Sequence, residues 1–125
     1  MIDIINDLID MARKGIPELN NRVYLSYPQK LIRKKAFITV AHSGHVPTLT
    51  EDGNEIQAAL AYAVNIYAPT PAEVDKLTHR LTSIYNAKNI ACAGMTPAYM
   101  YDSDVWVSQL TYTATVDIRG HVFRQ

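Results

Sequence analysis

Cysteine is nearly absent: Cys92 stands alone in a chain of 125 residues. No intramolecular disulfide can form, so cysteine usage sets no redox compartment and the fold must rest on a core. Glycine is also scarce, with five in all, and none is grouped into a loop that would cradle phosphates. Charge of neither sign is in excess, with 12 Lys and Arg against 12 Asp and Glu. A formally neutral chain lacks the surplus of cations that displaces counterions from nucleic acid, which excludes bulk nucleic-acid binding. It also does little to hold copies of itself apart. Long hydrophobic runs are missing, and no segment approaches the ~20 apolar residues of a membrane span. The opening Met1-Ile2-Asp3-Ile4-Ile5-Asn6-Asp7 puts acids where a secretory signal has bases. The expectation is a chain made and kept in the cytoplasm, at least until assembly. The HExxH and GxSxG patterns of metalloproteases and hydrolases are absent.

What is present is ordinary for a globular chain. Hydrophobic residues make up 48%, too many for disorder, and the length suits one domain with a real core. Ile2, Ile5, Leu8, Ile9 and Ala12 recur at helical spacing and predict a helix over Ile2–Lys14, with Gly15 as its cap and Pro17 preventing continuation. Arg22–Tyr27 reads as a short strand and Ala36–Ser43 as a longer one, followed by a polar loop. Asp52-Gly53-Asn54 is turn chemistry. From Glu55 to Ala68, Ile56, Ala58, Leu60, Tyr62, Val64 and Ile66 alternate with smaller or polar residues, the period-two pattern of a strand with one core face. Thr70-Pro71-Ala72-Glu73 is a helix start, with a capping hydroxyl, a proline at the first helical position and a glutamate three residues on. That helix should run to about Asn86, burying Val74, Leu77, Leu81 and Ile84. Ala87–Pro97 reads as a loop and Tyr99–Tyr101 as a brief strand. Asp102-Ser103-Asp104 reads as a turn, and Val105–Ile118 as a last long strand. Helices and strands do not alternate strictly. The fold class expected is therefore α+β, a mainly antiparallel β-sheet with two α-helices packed on one face.

Two extended segments of about 14 residues each would span roughly 45 Å, against about 35 Å for a compact domain of this size. Continuous strands of that length overhang the core and expose unpaired backbone groups that a neighbouring subunit can cover. Bends near Ala58-Ala59 or Ser108 would break them instead.

Chemistry-bearing residues are few. His42 and His45 stand three apart, and His79 and Cys92 are the further ligand types in the chain, yet nothing in the spacing demands a zinc site with its three or four ligands. Cys92 lacks a local activating partner and reads as a small buried thiol. Asp102 and Asp104 suit backbone hydrogen bonds at a turn better than paired acid–base work. No metal, cofactor or catalytic residue is expected. The basic run Lys30–Lys35 (with Lys30, Arg33 and Lys34) is either a site for phosphate or an acidic partner, or a solvated edge that discourages stray pairing.

One block carries a resemblance. The stretch Tyr62-Ala63-Val64-Asn65-Ile66-Tyr67-Ala68-Pro69-Thr70-Pro71-Ala72-Glu73-Val74-Asp75-Lys76-Leu77 is a strand ending in an aromatic residue, a capped turn and an amphipathic helix. With an N-terminal helix, an early Arg22-Val23-Tyr24 strand and a final long strand, it resembles the tail terminator (tail completion) proteins of long-tailed bacteriophages across most of the chain. The resemblance implies a non-enzymatic homo-oligomer, a ring typically of six subunits. Such a ring caps the tail tube protein's polymer, ends its growth, and presents a surface to the head connector protein, with DNA only as cargo passing through. It implies residence in the virion, and in the host cytoplasm during assembly. A head–tail joining (neck) protein of the same virion is the alternative, and a small enzyme using Cys92 or the histidines a more distant one. By elimination, outward residues of the long strands, Ala61, Asn65, Gln109 and Thr113, join Lys30, Arg33 and Lys34 as candidate contacts.

Overall fold

The computed structural model describes residues 2–25 and 34–123. Two helices pack on one face of a seven-stranded sheet. The elements run α1 (Ile5–Gly15), a 3-10 turn (Pro17–Leu19), β1 (Val23–Leu25), β2 (Phe37–Glu51), β3 (Asn54–Ala68), α2 (Pro71–Asn86), β4 (Ala91–Met95), β5 (Tyr99–Asp102), β6 (Val105–Asp117) and β7 (Val122–Phe123). The central path is β1-β2-β3-β6-β4, with β5 and β7 also paired to β6. Among the described residues only the β1–β2 pair is parallel, so the sheet is mainly antiparallel, as its hairpin chemistry dictates.

The alternation read in the sequence places the core. Ala58, Leu60, Tyr62, Val64 and Ile66 of β3 and Leu110, Tyr112, Ala114 and Val116 of β6 are buried beneath the helices. Ile5, Leu8, Ile9 and Ala12 of α1 and Val74, Leu77, Thr78, Leu81 and Tyr85 of α2 meet them. Thr70 caps α2, its hydroxyl accepting the Glu73 N–H at 3.2 Å. Two buried tyrosines tie the layers together. The Tyr85 hydroxyl donates to the Leu8 carbonyl at 2.9 Å, and its ring packs edge-on against Tyr112. Burial pushes the Tyr112 hydroxyl up to about 12 and Tyr85 higher still, so both hydroxyls stay neutral.

The structure departs from the sequence reading at several points. Gly15 does not cap α1 in a left-handed conformation: it is the last helical residue, and a Cβ there would overlap Ile84 of α2. Its smallness serves close helix approach. The polar loop expected after Ser43 is instead strand, since β2 continues to Glu51 through three register shifts. Gly94 and Pro97 suggested a loop, yet Ala91–Met95 form an edge strand on β6. β6 ends at Asp117, one residue short of the expected Val105–Ile118, and Ile118 is 64% exposed. The strand expected over Arg22–Tyr27 is described only as Val23–Leu25; Tyr27, like Lys30 and Arg33, lies outside the described residues.

Candidate protein–protein interface

The two long ribbons are continuous. β3 has 15 residues and β6 has 13, paired without interruption from Gln57↔Asp117 to Ala68↔Trp106. Neither Ala58-Ala59 nor Ser108 breaks them. Register shifts fall in β2, between His42 and Gly44 and around Leu49, and in the β4 and β5 pairings with β6, at Cys92/Gly94 and Met100/Asp102.

Register places the outward residues. Ala61 lies opposite Thr113 and Asn65 opposite Gln109, so these four expected contacts fall into one patch on the face away from the helices. Asn65 and Gln109, with Thr39, Ala41, Ala63 and Thr111, help line a shallow cavity of about 450 Å³. At one end of this face a second, small core forms from Phe37, Tyr67, Val105 and Val107, with Phe37 and Tyr67 stacked at 4.5 Å. That cluster gave little sequence signal, because Tyr67 and Val107 occupy positions that alternation assigns to solvent. Between Tyr67 and Gln57 the face carries no ionisable side chain on β3.

The β2–β3 hairpin is the second feature. Val46 and Leu49 are 61% and 53% exposed and pair with Ala59 and Gln57, which puts them on that same face. β1 accompanies β2 only from Ile38 to Val40; among the described residues no other strand pairs with its outer side. Pro47 and the register shifts suit an edge, since they interrupt any backbone ladder.

The N-terminal segment clamps the other side of this hairpin. Asp3 Oδ2 meets His42 Nε2 at 2.8 Å, and its Oδ1 accepts the Tyr62 hydroxyl at 2.7 Å. Tyr62 in turn accepts the Ile4 N–H at 3.0 Å. Glu55 takes the Ile2 N–H at 2.8 Å and His45 Nε2 at 2.7 Å. Burial opposes the charge on Asp3, yet the hydrogen bonds from His42, Tyr62 and the Ile5 N–H outweigh it and hold the carboxyl below its usual range. His42 and His45 sit within β2, each on its own carboxylate. Among the described residues no three His, Cys, Asp or Glu side chains gather into a metal-binding group. His79 is exposed on α2, and Cys92 is half-buried on β4 rather than fully buried. Asp102 accepts the Ser103 N–H at 2.7 Å, the turn bond expected of it. Lys34 is exposed in the bend before β2, at φ 66°.

No protein-family model matches this sequence, and no curated protein matches it. Among solved structures, a chain of the virion of a native gene transfer agent particle is similar to it in fold outline, at 11% identity and a TM-score of 0.47, over 87% of this chain and 91% of that one.

Proposed function

We propose that this chain is a structural protein of a long-tailed bacteriophage virion, a tail terminator. Copies close into a ring, six being the number the resemblance implies. The ring caps the tail tube, ends its polymerisation and offers the surface to which the head connector attaches, while DNA passes through as cargo. The reading rests on one observation above the others. Unbroken ribbons of 15 and 13 residues carry an outer face without charge from Tyr67 to Gln57 on β3 and from Val107 to Thr115 on β6, and a hairpin whose exposed Val46 and Leu49 have no core to enter within the described residues. Apolar side chains of that size left on a projecting hairpin mark a contact surface. A heterologous contact that closes on itself yields a ring. Ala61, Asn65, Gln109 and Thr113, with Lys34, belong to this surface in our reading.

The test is a partition between two particles. Purified protein is mixed with assembled tails and, separately, with filled heads, and each mixture is sedimented. A terminator pellets with the tails and stops further growth of the tube. Pelleting with heads alone makes it a neck protein, and pelleting with neither contradicts a virion role.

A further inference from the structure

Ile2 and Asp3 form a short strap ahead of α1, laid against the β2–β3 hairpin. Ile4, 4% exposed, anchors its near end in the core. Packing fills the margins of the strap poorly. A cleft of about 280 Å³ lies between it and His42, His45, Leu60 and Tyr62. Ile2 also borders a cleft of about 520 Å³ shared with Glu51, Asp52, Glu55 and Ile118. Two carboxylates supply what packing does not. Asp3 takes His42 Nε2 at 2.8 Å and the Tyr62 hydroxyl at 2.7 Å. Glu55 takes the Ile2 N–H at 2.8 Å and His45 Nε2 at 2.7 Å. An ionised carboxylate only accepts, so both histidines donate here. The hairpin beneath leans on the same bonds. Past Val40 the described residues pair β2 with β3 alone, through three register shifts, and a two-stranded ribbon is marginal by itself.

We propose that Ile2 and Asp3 are an acid-released strap. It is latched while Asp3 and Glu55 are ionised. When both take up a proton, it peels back to the Ile4 anchor, the cleft over Leu60 and Tyr62 opens, and the hairpin loosens while the rest of the sheet stays folded. The bonds of the latch are charge-assisted, about twice as strong as neutral ones, and protonation takes the charge from all of them. The pH window follows from the two carboxyls. Burial opposes the charge on Asp3, and the bonds from His42, Tyr62 and the Ile5 N–H outweigh it. The bonds from His45 and the Ile2 N–H lower Glu55. Both titrate below their ordinary 3.8 and 4.5. The latch therefore holds in full above those values and is lost as pH falls through the lower folded ones. His42 and His45 face the carboxyls from β2, and Tyr62, kept neutral by burial, faces Asp3 from β3. Asp7 of α1 acts on Tyr62 through space, and Glu51 and Asp52 share the cleft of Glu55. The strap acts within one subunit, whatever that subunit assembles into.

The test is amide exchange on the full chain, read by mass spectrometry and corrected for the intrinsic pH dependence of the rate, beside the fluorescence of added ANS. Between pH 7 and about pH 2.5, the strap and residues 44–57 of the parent lose protection by about ten-fold or more, and ANS fluorescence rises as apolar surface is uncovered. Peptides over Val64 and Leu110, both buried, keep theirs. In Asp3→Asn with Glu55→Gln neither position titrates, so strap and hairpin are already loose at pH 7 and change little on acidification. Glu55→Gln alone gives a smaller loosening at pH 7, which keeps the test open if the double variant does not fold. A parent strap and hairpin as protected at low pH as at pH 7 overturn the proposal. So does protection lost together over the hairpin, Val64 and Leu110, which is global acid unfolding. A double variant that keeps the parent's pH response overturns it as well, since the response then belongs to other groups.

Discussion

At the residue scale the structure turns on a few polar atoms in an apolar setting. Tyr62 illustrates this: its ring is in the core, and its hydroxyl both donates to Asp3 and accepts the buried Ile4 N–H. Tyr62→Phe leaves that N–H without its partner, and an unsatisfied buried donor costs about 1–3 kcal/mol. Urea unfolding should show a loss of that order. Asp3 sets the acid side. Its folded carboxyl titrates below the ordinary 3.8, so its contribution is fully present above the unfolded value and is lost as pH falls through the folded one. Asp3→Asn should therefore flatten the decline in stability between about pH 5 and pH 2, measured by denaturation at stepped pH. A slope unchanged in the variant would show that Asp3 carries no such linkage.

Elements differ in how much the sequence disclosed. α2 was legible because Thr70, Pro71 and Glu73 are local signals for a local structure, and Thr70→Ala should cost about 1 kcal/mol in thermal unfolding. β3 and β6 were legible because one face of each is buried along nearly its whole length, so alternation survives in the sequence. Ile66 lies at 0% exposure, and Ile66→Ala should cost about 2–5 kcal/mol. Val46→Thr, at 61% exposure, should leave monomer stability within about 0.5 kcal/mol. The outer half of β2 was not legible. Past Ala41 most of its residues face solvent on both sides, so no burial imposes a period, and Ser43, Gly44 and Pro47 look like a loop. β4 and β7 were hidden likewise, since short edge strands are held by the backbone of β6 more than by their own side chains. Gly15 carried a cap-like signal for a different reason, contact with Ile84.

For the whole molecule, the expected contact residues fared unevenly. Ala61, Asn65, Gln109 and Thr113 came together because period two puts them on one face and the β3–β6 register puts them side by side. The second small core of Phe37, Tyr67, Val105 and Val107 was out of reach, because it depends on which strands become neighbours.

Negative-stain microscopy of the purified protein at low salt tests the central claim most directly, that copies of this chain join into a ring around a channel. The account predicts closed rings of uniform diameter with a central opening. Fields of single particles at high protein concentration, or open chains that never close, would contradict it.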